Sequence, residues 1–184
     1  MSTFERIRSI FYGNTPYEGS YESIQEIAFL VDKGYLALAL FPLADKKEYK
    51  RLFDRPLIES PGAYDAAGGG DAHIALKLLG ARYLKDKRGF ESQFEQPFCG
   101  YFPDVISRDK SIIIECGVTG NPEKMLACFR QSDLKEFIQL PYPYEEDAEL
   151  IAYNFAPGND CRDFLKFLET EKLKNIKSII NRKK

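Results

Sequence analysis

The sequence predicts an α/β fold in which a mixed central β-sheet is flanked by helices. The chain of 184 residues is 44% hydrophobic and 29% charged, the balance of an ordinary folded domain. Apolar residues recur at helical spacing in several segments, and short runs of β-forming residues stand between them. From residue 71 onward the predicted order is helix, three strands, helix, two strands and helix. That order suits a sheet with helices packed against it.

The first 65 residues are predicted to be an N-terminal addition packed on a core domain, residues 66–184, which ends in a basic helix. Its expected elements are two helices, a strand and a third helix, over residues 4–12, 21–33, 35–43 and 45–53. The strand follows Gly34 and is apolar throughout, as in a strand buried on both faces, although its alanine and leucine content also allows a helix. Asp45 is the expected N-cap of the third helix.

A glycine-rich segment precedes the helix that opens the predicted core. Residues 56–70, which include Pro61-Gly62 and three consecutive glycines, are typical of a loop. Asp71 is the expected N-cap of a helix that ends at Gly89. Glycines before a helix also resemble a phosphate-binding loop. Because the Gly-Lys-Ser/Thr of that motif is missing here, a flexible hinge is the preferred interpretation.

Three strands follow this helix, because the apolar period changes from 3.6 to 2 at Phe90. A helix then begins at Asn121-Pro122, since proline suits the first helical position. Two further strands and a C-terminal helix complete the predicted fold. The five strands are expected over residues 90–98, 101–107, 111–117, 137–144 and 149–155, and the last helix over residues 160–180.

Two carboxylates lie at strand ends in this pattern. Asp104 follows Pro103 at the end of one strand, and Glu115 closes a run of three isoleucines in the next. A hairpin between the two strands brings both side chains to one end of the sheet. Mg²⁺ prefers oxygen ligands and usually takes one or two carboxylates from a protein. The sequence therefore predicts a divalent-metal site on Asp104 and Glu115.

Pro103-Asp104 followed by Ile112-Ile113-Ile114-Glu115 resembles the signature of the PD-(D/E)XK nuclease superfamily, whose members share the restriction-endonuclease-like fold. The resemblance covers roughly residues 71–144. It implies that Asp104 and Glu115 bind Mg²⁺ or Mn²⁺ and that the protein hydrolyses phosphodiester bonds of DNA. It also implies a lysine, two residues after the acid, that positions the attacking water, and it makes a homodimer the expected assembly.

The chain departs from that signature at position 117, where glycine stands in place of lysine. The nearest downstream lysine is Lys124, in the first turns of the following helix. In some members of the superfamily the catalytic lysine lies on that helix, so the resemblance implies this role for Lys124. The alternative is a catalytically degenerate module that binds nucleic acid or protein.

Further candidates lie upstream of the signature, where acidic residues often complete the metal site of such nucleases. Glu95 is the implied third ligand, and Glu91, four residues earlier on the same strand face, is a candidate ligand or substrate contact. His73 and Lys77, one turn apart on the preceding helix, are candidates for contacts with substrate phosphate. Tyr142 and Tyr144 are exposed base-stacking candidates or half-buried rim residues.

Composition and charge exclude several other classes of protein. No run of about 18 apolar residues predicts a membrane span, and the N-terminus lacks the pattern of a secretory signal, so a cytoplasmic protein is expected. Four widely spaced cysteines and one histidine argue against a zinc site and for small buried thiols. Cys116 is an improbable nucleophile because the single histidine is far off in sequence.

Net charge is unevenly distributed along the chain. The total is −2, but residues 171–184 carry +5, which leaves −7 on the first 170 residues. A net negative charge argues against indiscriminate coating of nucleic acid. The basic end can contact phosphates, or it can simply stabilise the C-terminus of a helix.

Overall fold

The computed structural model describes residues 1–14, 21–53, 70–118 and 121–182. These ranges form six helices and six strands. The helices are α1 (Thr3–Tyr12), α2 (Glu22–Asp32), α3 (Lys46–Phe53), α4 (Asp71–Arg88), α5 (Pro122–Gln131) and α6 (Cys161–Arg182). The strands are β1 (Leu36–Asp45), β2 (Ser92–Phe94), β3 (Val105–Ser107), β4 (Ile112–Cys116), β5 (Glu136–Leu140) and β6 (Glu149–Pro157).

All six strands belong to one mixed sheet in the order β1-β6-β5-β4-β3-β2. Strands β4 and β5 are parallel and are joined by helix α5, whereas every other neighbouring pair is antiparallel. The predicted α/β fold with a mixed sheet flanked by helices is confirmed at this level. None of the six described helices combines the length and the apolar composition that a membrane crossing requires.

Apolar residues of the sheet divide between two faces because successive side chains of a strand point to opposite sides. Ile113, Phe137 and Phe155 face a cluster formed with helices α1, α2, α5 and α6. Ile114 and Ile138 face a second cluster formed with α3 and α4. Residues 1–14 and 21–53, expected as an N-terminal addition, supply helices to both clusters and an edge strand to the sheet.

The N-terminal elements follow the prediction with one correction. Strand β1 lies at the edge of the sheet and only Leu36 is fully buried, so the expected burial on both faces is wrong. Pro42 in this strand fits an edge, because proline has no N–H for a ladder hydrogen bond. Asp45 caps helix α3 as predicted, since its Oδ1 accepts the Lys47 N–H at 2.9 Å.

The helix and strand ends differ from the prediction for local reasons. Helix α4 begins at Asp71 itself and Gly70 is its N-cap, so the expected cap role of Asp71 is wrong. The rest of the predicted glycine-rich loop, residues 54–69, lies outside the described residues. Strand β2 has three residues instead of nine because Glu95 adopts a positive φ of 50° directly after it. Strand β5 ends at Leu140, before Pro141.

A two-residue turn lies within the connection between β2 and β3, residues 95–104. Phe98 and Tyr101 exchange backbone hydrogen bonds of 2.8 and 2.9 Å, and Cys99 and Gly100 between them have φ of 50° and 81°. Positive φ at both central positions is typical of a type I′ turn.

Four thiols of the chain are free, and those of Cys116, Cys128 and Cys161 are buried, as the composition predicted.

Close contact between helix α4 and strand β4 depends on Gly80. A Cβ at this position would lie 3.3 Å from Ile114 Cδ1 and 3.7 Å from Val105 Cγ2. The glycine therefore lets the helix backbone approach the sheet more closely than a larger residue allows. The first turns of the same helix carry His73 and Lys77.

Gly80→Val should lower the free energy of unfolding by about 1–3 kcal/mol, because its methyl groups push α4 away from the sheet. Urea unfolding of the purified protein measures this. Asp86→Val places a valine on an exposed position of the same helix and should change stability by no more than about 0.5 kcal/mol. Equal losses in the two variants would contradict this explanation, because they would show that the contact with Ile114 adds no cost.

Candidate active site

Pairing of strands β3 and β4 brings Asp104 and Glu115 together. Val105 lies opposite Ile114 in the antiparallel register, so the residue before β3 lies beside the end of β4. The Asp104 N–H donates to Glu115 Oε1 at 3.3 Å, and the Cys116 N–H donates to Asp104 Oδ2 at 2.8 Å. The predicted hairpin and the proximity of its two carboxylates are confirmed.

Lys124 of helix α5 forms an ion pair with the buried Glu115. Its Nζ lies 2.8 Å from Glu115 Oε2, and only 3% of the Glu115 side chain is exposed. The start of the helix fixes this position, since Asn121 caps it and Pro122 occupies its first turn. Lys124 Nζ also lies 5.9 Å from the centre of the Tyr101 ring. The structure thus brings the predicted lysine to the predicted acid.

Gly117 has a conformation that disfavours a side chain. Its φ is 76°, in the left-handed region, and a Cβ there would lie 2.6 Å from Cε2 of Tyr142. The backbone turns at this point, where the Gly117 N–H donates to the Leu140 carbonyl at 2.8 Å. The position where the signature has lysine is therefore next to the Tyr142 ring.

His73 and Lys77 of helix α4 both contact Asp104. His73 Nε2 lies 3.0 Å from Asp104 Oδ1, and Lys77 Nζ lies 3.6 Å from the same oxygen. Because a carboxylate only accepts, Nε2 is the protonated ring nitrogen in this contact. The Lys77 side chain is completely buried, and its Nζ also donates to Glu95 Oε1 at 2.5 Å. A buried ammonium group requires such partners.

The two upstream glutamates occupy different places, and both lie outside the three residues of β2. Glu95 follows the strand on the Asp104 side and is bound to Lys77, whose ammonium group also contacts Asp104. Glu91 precedes the strand, at its opposite end, and its Oε1 lies 3.6 Å from Nζ of the exposed Lys85. The expectation that they share a strand face is therefore wrong, and Glu91 lies apart from the cluster.

The two central carboxylates have shifted pKa values of opposite sign. The pKa of Glu115 is raised to about 7, because burial and the charge of Asp104 raise it by more than Lys124 lowers it. Burial would also raise the pKa of Asp104, but hydrogen bonds from His73 and the Cys116 N–H, with the charge of Lys77, lower it overall. Near neutral pH, the ion-free cluster therefore has a charged Asp104 beside a Glu115 that is close to half protonated.

Asp104 and Glu115 fit a site for Mg²⁺ or Mn²⁺. They offer carboxylate oxygens, and Mg²⁺ commonly takes only one or two such ligands from a protein, with water and substrate phosphate completing its shell. Each oxygen that accepts one hydrogen bond retains further lone-pair capacity. Across the described ranges of the chain, no group of three or more His, Cys, Asp and Glu side chains is arranged to hold a metal ion.

Gln139 was not recognised from the sequence. It lies opposite Glu115 in the parallel β4–β5 register, is completely buried, and donates from Nε2 to the Gly117 carbonyl at 2.6 Å. Its Oε1 has no hydrogen-bond partner among the described residues, and such a buried acceptor is costly. A glutamine in the apolar run FIQLP was the available signal. Tyr142, a base-stacking candidate from the sequence, also lies at this site, since its hydroxyl is 3.5 Å from His73 Nδ1.

No family model, curated protein or solved structure gives a significant match to this chain.

We expect the ion-free protein to lose stability as pH rises from about 5 to about 8. Its folded state holds Glu115 with a pKa of about 7 against an ordinary value of 4.5, so between these values folding takes up a proton that the unfolded chain has already released, and this stability is lost as pH rises through 7. In EDTA, the melting temperature should be higher at pH 5.5 than at pH 8 by at least about 5 °C. Glu115→Gln should remove most of this slope.

Glu145→Gln is the control, because Glu145 is exposed and lies after strand β5. This variant should keep the slope of the wild-type protein. An unchanged slope in Glu115→Gln would mean that another group titrates.

Gly117→Lys should destabilise the protein more than Gly89→Lys does. Both glycines have a φ near 70°, but a Cβ at Gly89 meets nothing within 4 Å. Gly89→Lys therefore measures the cost of the left-handed backbone alone, about 1–2 kcal/mol. Gly117→Lys must also displace the Tyr142 ring, and we expect about 1 kcal/mol more in urea unfolding. Equal costs would show that Tyr142 yields freely.

Proposed function

We propose that this protein is a metal-dependent nuclease of the PD-(D/E)XK type that hydrolyses phosphodiester bonds of DNA. The observation that carries the proposal is the ion pair between Lys124 and the buried Glu115, formed beside Asp104. It supplies the lysine that the signature lacks at position 117. The element order α4-β2-β3-β4-α5-β5, with β4 and β5 parallel, is also the order that the resemblance implies.

Asp104 and Glu115 would hold the metal, which supplies Lewis-acid activation of the phosphate and of the attacking water when bound. Lys124 would orient that water or stabilise the charge that develops on the phosphate. His73 and Lys77 keep Asp104 ionised and fixed through their contacts with Oδ1. We assign Lys77 a positioning role, since its side chain is fully buried and bound to two carboxylates.

The alternative is a degenerate module that binds without cleaving. It is motivated by Gly117, which stands where the signature has lysine. The position of Lys124 favours the catalytic proposal. Burying an ammonium–carboxylate pair beside a second carboxylate costs stability, and such costs are typical of functional sites. Glu115 with a pKa near 7 is likewise typical of a group at a functional site.

Asp104→Asn, Glu115→Gln and Lys124→Met should each reduce metal-dependent cleavage of DNA by about 10²-fold or more. The measurement is an incubation of labelled single-stranded, duplex, flap and junction DNA with Mg²⁺, Mn²⁺ or EDTA. Lys135→Met and Glu145→Gln are the matched controls, because both residues are exposed, and they should cleave like the wild-type protein.

Two results would contradict the proposal. One is cleavage that survives in Glu115→Gln, which would point to a contaminating nuclease. The other is no cleavage of any substrate, together with a melting temperature that Mg²⁺ and Mn²⁺ leave unchanged. A bound ion must raise the melting temperature by mass action, so that second result would favour the degenerate module.

A further inference from the structure

Two exposed aromatic residues belong to the segments that flank the carboxylate pair. Phe102 is 64% exposed and comes two residues before Asp104. Its Cα therefore lies within about 7 Å of the Asp104 Cα. Tyr142 is 38% exposed and follows strand β5 by two residues. Strands β3 and β5 are the two neighbours of β4, so the two residues belong to the segments on either side of the strand that carries Glu115.

Both rings are attached to restrained backbone. The hydrogen-bonded turn from Phe98 to Tyr101 leads directly into Phe102, and the buried Pro103 follows. Tyr142 lies between Pro141 and Pro143, whose φ angles are fixed, and its hydroxyl is near His73 Nδ1. A residue whose backbone is already restrained loses little backbone entropy when a ligand stacks on its ring.

The sequence segments around the site contain no basic residues of their own. Neither lysine nor arginine occurs within residues 94–107, 111–123 or 137–149, whereas Glu145, Glu146 and Asp147 follow the second aromatic segment. The nearby cations Lys77 and Lys124 are bound to carboxylates of the cluster, and Lys46 is bound to the carbonyls of Tyr144 and Glu145. Affinity for duplex DNA comes mainly from contacts between basic side chains and phosphates. The site between these segments is therefore poorly suited to duplex DNA.

Aromatic rings bind nucleic acid by stacking on the faces of bases, and those faces are accessible where bases are unpaired. Building on the proposed function, we infer that the site takes single-stranded DNA, with unpaired bases stacked on Phe102 and Tyr142 on either side of the phosphate that is cleaved. The substrate class is then a single strand, or the single-stranded part of an end or flap.

Binding without cleavage tests this inference directly. An oligonucleotide that contains 2-aminopurine is titrated with the full-length protein in EDTA, both as a single strand and annealed to its complement. We expect the single strand to bind at least about ten-fold more tightly and its fluorescence to change on stacking. Phe102→Leu retains an apolar side chain without the ring and should weaken single-strand binding about five-fold or more.

Phe167→Leu is the matched control, because Phe167 is 56% exposed on helix α6 and lies apart from the carboxylate cluster. It should bind like the wild-type protein. Tighter binding of the duplex, or unchanged binding by Phe102→Leu, would overturn the inference.

Cleavage is measured separately with Mg²⁺ on the same two forms of DNA. Cleavage of the duplex at the rate of the single strand would overturn this inference and leave the proposed nuclease intact. Loss of cleavage on every substrate would contradict the nuclease, whereas the titrations in EDTA would still decide whether the two rings bind unpaired bases.

Discussion

Glu115 is a carboxylate buried at the end of strand β4, and the surrounding contacts are arranged around the cost of keeping it there. The apolar strand carries it into the sheet, and Asp104 beside it adds repulsion. The ammonium group of Lys124 at 2.8 Å offsets both effects. Helix α5 must therefore begin where it delivers that lysine, and Asn121 and Pro122 fix the start. Strand pairing, helix capping and charge compensation all converge on this one side chain.

The two carboxylates are compensated from opposite faces of the sheet. Glu115 shares the face of Ile113, which packs on α5, and it takes its cation from that helix. Asp104 takes His73 and Lys77 from α4, which packs on the other face and approaches closely because of Gly80. The carboxylates can meet because both lie next to the last residue pair between β3 and β4, Val105 and Ile114. If the two carboxylates lay within the sheet, the sheet would stand between α4 and α5, and each helix could reach only the side chains on its own face.

Local sequence patterns were sufficient for the framework and for the central pair of acids. Alternating apolar residues and Pro103 marked the strand ends. A short hairpin between these strands then places Asp104 beside Glu115. The pairing of Lys77 with Glu95 and the place of Gln139 were beyond such patterns, because they depend on how closely α4 and β5 approach the hairpin. Strand lengths failed where the backbone enters the left-handed region, as at Glu95, since residue type alone did not indicate that turn.

Charge balance links the metal to the substrate in the proposed nuclease. Without an ion, Lys77 and Lys124 are bound to Glu95, Asp104 and Glu115, so these carboxylates already take up the positive charge that a phosphate would need. The neighbouring segments add aromatic and acidic side chains instead of basic ones. A divalent ion would shift this balance by two charges within a buried site, where electrostatic interactions are strong. Attraction of the phosphate would then depend on the ion, while the rings, which do not depend on it, hold the bases.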